Sequence, residues 1–300
     1  MRPDWPLLRQ ALADRGVGAS TRVWTDPGVP WSEFDLVVAN GAWDNIHRPS
    51  EFLAWVATVA ETTLIVNSPD VLRWNLDKRY LAALSGAGVA TVPTTWLTAD
   101  RALDQGEPDL SDLSDLSDLS DLSDLGLPPG TGEFVVKPTI SGGGFETARY
   151  RVGDAPATQA ARAHIHRLLD SGRAVMVQPY QAAVDAHGEA GLIFLGGRYS
   201  HAIGKGPLLR VAAGPQSRLW EHEEIGALLP SEAQLEAAHR ALAAAEHLVG
   251  PSTYARVDLV GTADGTPAVL ELELLDPALF FETQPSAATR FAQVLRDCIP

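Results

Sequence analysis

The chain has 300 residues, 45% hydrophobic and 20% charged, a composition that supports globular domains with proper cores. A formal charge of −15 argues against a nucleic-acid partner, because neutralising phosphates takes clustered Lys and Arg. Its lone cysteine, Cys298, excludes a disulfide framework, and no window nears the roughly 18 apolar residues of a membrane span.

The N-terminus, MRPDWPLLRQALADRG, reads as a short amphipathic helix and has no apolar core of signal-peptide length. A cytoplasmic protein with no membrane partner is therefore expected. TRVWT and DLVVAN follow as strands, RPSEFLAWVATVAE as a helix and TLIVN as a buried strand. In SPDVLRWNLDKRYLAALSGAG, Ser68 is the expected N-cap and Pro69 the first helical residue, with the helix ending at Gly86 or Gly88. Such alternation describes a sheet covered by helices. The chain opens on a helix with no strand before it to complete a βαβ unit. Either the sheet is one strand short or the stated start lies inside the original reading frame. Seven of the eight Trp precede residue 97 and read as packing of this region, with Trp43 and Asp44 a substrate-site candidate at a strand end.

Residues 109–125, DLSDLSDLSDLSDLSDL, repeat with period three, which matches neither helix nor strand and buries no consistent face. This reads as a solvated linker holding six of the 38 acidic residues. Beyond it come strand signals in EFVVKP, ARYRV, AVMVQPY, GLIFLGGRYSHAI, TYARVDLV and AVLELEL. DAPATQAARAHIHRLLDSG and SEAQLEAAHRALAAAEHLVG are helical.

The densest chemistry lies in YARVDLVGTADGTPAVLELELLDP. Asp264-Gly265 predicts a two-residue hairpin, which sets Asp258 across from Glu271 and Arg256 across from Glu273. Period-2 alternation places Glu271 and Glu273 on one face and Leu270, Leu272 and Leu274 on the other. Opposed like charges destabilise a hairpin unless neutralised, so Asp258, Glu271 and Glu273 form a candidate site for a hard divalent cation. A solvated polar face with Arg256 paired to a glutamate is the competing reading, and a longer loop would break the alignment.

Lys137 ends the apolar run of FVVKPTISGGG, where a charge is costly unless it meets an anion. Gly142, Gly143 and Gly144 could offer backbone N–H groups to that anion. The order is the reverse of a Walker loop, in which the glycines lead and the lysine closes the motif. Lys78 lies in WNLDKRYL, and the apolar strand VMVQPY enters Gln178-Pro179, a junction able to hold a planar base. His47 and His201 read as packing rather than catalysis. The histidines show no H-E-x-x-H pairing, which argues against a zinc enzyme.

In this order, helix lysine, strand lysine, glycine loop, Gln-Pro hinge, then Asp and Glu-x-Glu on paired strands, the chain resembles the ATP-grasp superfamily of carboxylate–amine ligases. The nearest likeness is to the glutathione synthetase-like and cycloserine synthetase-like groups. The resemblance implies α/β and α+β architecture: an N-terminal α/β domain at 1–92, a small subdomain at 93–178 and a C-terminal subdomain at 179–300, the last two clasping ATP. It implies that Lys78 and Lys137 contact the ATP phosphates and that Ser141, Gly142, Gly143 and Gly144 fold over them. Val177, Gln178, Pro179 and Tyr180 would line the adenine pocket, with Glu189 near the ribose. Lys205, Arg210 and Arg256 would act on the transferring phosphate, the substrate or the intermediate. Asp258, Glu271 and Glu273 would hold Mg²⁺, with Mn²⁺ as a substitute; many relatives carry Glu-x-Asn where this chain has Glu271-Leu272-Glu273. The implied reaction joins a small carboxylate, activated as an acyl phosphate, to an amine, between molecules or within one. A kinase on the same scaffold, or a non-catalytic nucleotide-binding subunit, are the alternatives, and a homodimer is an allowed assembly. Two departures bear on the substrate site: family members usually begin with a strand, and the GPLLRV stretch after Lys205 is short.

Overall fold

A computed structural model describes residues 4–98, 125, 127–209, 211, 214–215 and 224–299. The Ser-Asp-Leu repeat, except Leu125, and Arg210 lie outside the described residues. Backbone contacts divide the chain into two compact units. The first comprises residues 1–91, 183–206 and 224–300, and the second residues 92–182 and 207–223. The segments expected at 1–92 and 179–300 thus fall largely within one unit.

The first unit opens with α1 (Asp4–Ala13), β1 (Leu36–Val38), α2 (Pro49–Ala60) and β2 (Leu64–Val66), the two strands parallel. Residues 21–25, expected as a strand, form no ladder. With β1, residues 21–24 line a cavity of about 1020 Å³, whose walls include Trp24, Trp31, Trp43, Asp44 and Trp55. Trp24, Trp31, Phe52 and Trp55 pack edge-to-face or tilted, with ring centroids 5.3–6.0 Å apart.

The helix expected at 68–88 is two. Ser68 caps α3 (Pro69–Leu76), accepting from Val71 N, and α4 (Tyr80–Gly86) ends at the expected glycine. Asp77 breaks the run: its backbone is extended, and its side chain accepts from Arg79 N at 2.9 Å, the local bonding by which Asp competes with a helix.

In the second unit, β3 (Thr95–Leu97), β4 (Glu133–Pro138), β5 (Ala148–Arg151) and β6 (Val175–Pro179) form a sheet of order β3-β6-β4-β5, and α5 (Ala155–Asp170) covers one face. Phe134, Val136, Val175 and Val177 point into the core beneath α5. Alternation sends Lys137 and Gln178 to the opposite face.

The chain then returns to the first unit through α6 (Ala183–His187), β7 (Glu189–Leu195), β8 (Arg198–Lys205), β9 (Ile225–Leu228), α7 (Glu232–Val249), β10 (Tyr254–Gly261), β11 (Pro267–Glu273) and α8 (Ser286–Cys298). Five antiparallel strands run in the order β11-β10-β7-β8-β9. Ser231 and Gln234 form a reciprocal capping box at the start of α7. Ile193, Leu195, Ile203, Tyr254 and Phe291 form the core between this sheet and α1 and α8. No described helix is long and apolar enough to cross a membrane.

Candidate active site

The acidic hairpin assembles as expected, though by another route. Asp258 pairs with Glu271 and Arg256 with Glu273. The turn, however, is not a two-residue one. Thr262 N donates to Thr266 O, and Asp264 Oδ1 accepts from Thr266 N, so the loop is one residue longer. That shifts the pairs next to the turn to Leu259–Val269, Val260–Ala268 and Gly261–Pro267. A bulge then leaves Leu270 as the extra residue and restores the pairing of Asp258 with Glu271. The bulge also disturbs the apolar face. Val269, Leu272 and Leu274 are buried, whereas Leu270 is only half-buried.

Carboxylate oxygens of Asp258, Glu271 and Glu273 lie within 4.8 Å of one another. All three are hard oxygen donors, a set that suits Mg²⁺ or Mn²⁺ rather than a softer metal. Basic side chains surround them. Lys205 Nζ lies 2.8 Å from Asp258 Oδ2 and 2.9 Å from Glu189 Oε2. Arg256 Nε donates to Asp258 Oδ1 at 2.8 Å, and Nη2 donates to Asp258 Oδ2 at 3.0 Å and to Glu273. Lys78 Nζ sits 3.1 Å from Glu271 Oε1. Burial alone would raise the Asp258 carboxyl, but the Arg256 and Lys205 charges outweigh it and hold it well below the usual range. Burial pushes Glu273 up to about 7; Arg256 opposes the shift, and Glu271 and Asp258 add to it.

Gly191 makes room for the cluster. This glycine pairs with Asp258 across β7 and β10, and a Cβ there would lie 3.0 Å from Asp258 Oδ1 and 2.8 Å from Ile203 Cδ1. An isolated glycine in a strand pattern is the sequence signal for such a close approach.

The second unit carries the remaining candidates. Lys137 is 8% exposed on β4. In the loop after it, Phe145 N donates to Gly142 O and Thr147 N to Gly144 O, both at 3.0 Å. Gly143, Gly144 and Glu146 have φ of 54°, 73° and 53°, a region that favours glycine and is unusual for glutamate. Glu146 is held there by ion pairs with Arg167 and Arg173, and Arg173 also donates to Ile140 O at 3.2 Å. Sequence reading missed this clamp, because its partners lie more than twenty residues away.

At the hinge, Val177 is enclosed beneath α5 and its backbone pairs with Val136 and Thr95, so its side chain is core. Gln178 shares the Lys137 face and donates to Thr94 Oγ1 at 2.9 Å. Pro179 O accepts from Gln181, and Tyr180 N donates to Glu133 O at 2.8 Å. The guanidinium of Arg149 lies 3.4 Å from the Tyr180 ring centroid. His201 is packed, its Nε2 2.9 Å from Leu279 O.

With this geometry in view, the relatives are informative. Residues 1–67 match the family model for the D-cycloserine synthetase DcsG N-terminal domain. Over 297 residues, 98% of this chain and 93% of the relative, the sequence is 37% identical to the cycloserine biosynthesis protein DcsG of Streptomyces lavendulae. The chain belongs to the D-cycloserine synthetase family. The crystal structure of D-cycloserine synthetase DcsG superposes with a TM-score of 0.83 at 36% identity, covering 99% of this chain and 95% of that one. The ATP-grasp ligase PsnB, solved with a precursor variant, Mg and ADP, shares the fold alone: TM-score 0.58, 17% identity, 99% and 95% coverage. This member of the cycloserine synthetase family is an ATP-grasp ligase, an enzyme that forms carbon–nitrogen bonds.

Proposed function

We propose that the enzyme activates the carboxylate of a small, amino acid-like substrate with ATP and closes it onto a nitrogen nucleophile of the same molecule. The converging oxygens of Asp258, Glu271 and Glu273 carry this reading, and the likeness to a cycloserine biosynthesis protein favours ring closure over joining two molecules. In the first step, a carboxylate oxygen attacks the γ-phosphorus and ADP leaves. In the second, the nitrogen attacks the acyl carbonyl, phosphate leaves, and the nitrogen gives up a proton.

Mg²⁺, when bound, would supply positive charge to offset that of the phosphates. Asp258, Glu271 and Glu273 would hold it, and their oxygen-only donor set fits. Arg256 fixes Asp258 and Glu273 in place, which makes it a support of the acid cluster in addition to the substrate contact expected of it. Lys205, already paired with Glu189 and Asp258, offers a charge for the transferring phosphate. Lys78, Lys137, Ser141, Gly142, Gly143 and Gly144 keep their phosphate-binding roles in this reading, with Gln178, Pro179 and Tyr180 beside the base. Val177, with its side chain in the core and its backbone within the sheet, serves only to place Gln178 and Pro179. Arg210 keeps its proposed substrate contact, on resemblance alone.

Hydroxylamine trapping tests the reading. Incubated with ATP, Mg²⁺, hydroxylamine and a panel of amino acids bearing a second nitrogen, the enzyme should yield a hydroxamate together with ADP. ADP and a phosphorylated product without hydroxamate would replace the reading with plain phosphoryl transfer.

A further inference from the structure

The strand carrying Glu271 and Glu273 is the edge of its sheet, and an edge strand presents unpaired backbone groups. Here the open side of β11 is closed by side chains. Leu272 N donates to Tyr80 Oη at 2.9 Å, and Leu272 O accepts from Asn75 Nδ2 at 2.7 Å. Asn75 Oδ1 accepts from Leu274 N at 2.7 Å and from Leu275 N at 3.0 Å. Below them, Asn67 Nδ2 donates to both Leu274 O (2.7 Å) and Tyr254 O (3.0 Å), tying the end of β11 to β10. Asn67, Asn75 and Tyr80 are 1%, 7% and 4% exposed, so water offers these backbone groups no easy substitute.

The placement of these bonds is specific. The bulge at Leu270 interrupts the hairpin ladder immediately before Glu271, so the turn alone does not set where the acids stand. The bonds to Asn75 and Tyr80 begin at Leu272, between the two glutamates. Both residues also flank Lys78, which meets Glu271, so the same contacts dock that lysine's segment onto the strand.

We propose that Asn75 and Tyr80 are positioning residues for cation binding, fixing β11 after its bulge so that Glu271 and Glu273 converge with Asp258. The inference rests on the cation reading above. Partners that orient metal ligands typically govern affinity by about 10- to 100-fold.

The test is Mn²⁺ binding to the full chain, followed by electron paramagnetic resonance well below the melting temperature, with no turnover required. Asn75→Ala should weaken Mn²⁺ binding about tenfold or more. Tyr80→Phe, which removes one acceptor and little volume, should weaken it a few-fold. Leu168→Ala, in the core of the second unit, serves as a destabilised control and should bind Mn²⁺ as wild type does. If Asn75→Ala and Tyr80→Phe both bind within twofold of wild type, their role is only structural and the proposal is overturned. Should Asn75→Ala not fold, Tyr80→Phe decides. A wild-type protein that binds no Mn²⁺ would instead remove the cation reading itself, and this inference with it.

Discussion

The acidic hairpin of the first unit and the glycine loop of the second solve opposite problems. On the hairpin, like charges must be brought together. Antiparallel strands do this by register, and Lys78, Lys205 and Arg256 offset the repulsion. In the loop, the proposed phosphate contact requires backbone N–H groups that stay accessible. Glycines at positive φ provide the path, and a single glutamate, clamped by two arginines, fixes its downstream end. Ion pairs of buried Lys78, Lys205 and Arg256 surround the first site, whereas in the second the ion pairs described meet at the partly exposed Glu146. Damage to the hairpin should therefore stop the reaction, and damage to the loop should weaken one substrate's hold.

The largest effect is expected from Glu271→Gln. It should reduce ADP release to near background while leaving circular dichroism and melting temperature close to wild type; turnover near the wild-type rate would refute the metal assignment. Glu146→Gln should act on the other side of the comparison. We expect the KM for ATP to rise about five- to tenfold, as the loss of a charge-assisted pair of about 1.5–3 kcal/mol allows, with Mn²⁺ affinity unchanged. Equal loss of both would mean that the two regions do not work separately.

A smaller effect concerns stability. His164, on the buried face of α5, has Nδ1 3.0 Å from Tyr150 Oη, and burial, reinforced by Arg167, lowers its pKa to about 4. It is neutral in the fold and takes up a proton readily when unfolded. Its contribution is therefore complete above about pH 6.5 and is lost as pH falls towards 4. Thermal melts of His164→Gln should show a shallower decline between pH 6.5 and 4.5 than wild type. Least of all should follow from deleting residues 111–122, for which activity within twofold of wild type is expected, since a period of three cannot present a constant face.

Much of the site was legible because its signals are local. Glu-x-Glu alternation puts two carboxylates on one face in any extended strand, and a lysine ahead of a glycine cluster marks a strand followed by a glycine loop, the reverse order of a Walker loop. The boundaries of β4 and α2 and the Ser68 cap were likewise written in adjacent residues. Residues 21–25 show the opposite case: their β-branched and aromatic residues gave a strand signal, but a strand needs a neighbour, and none pairs there among the described residues. Asp77 broke an otherwise continuous helical pattern because its side chain captures a nearby amide, which periodicity does not register.

The hairpin shows where sequence stopped and tertiary structure took over. Asp-Gly named the turn's place, and alternation named the carboxylate face. The loop is one residue longer than the motif implies, and the bulge at Leu270 cancels that shift, so the correct pairing of Asp258 with Glu271 arises from two offsetting departures. Only the folded chain could decide this. The bonds that hold β11 beyond the bulge come from Asn67, Asn75 and Tyr80, about two hundred residues earlier in sequence, and no local pattern encodes a contact made at that separation.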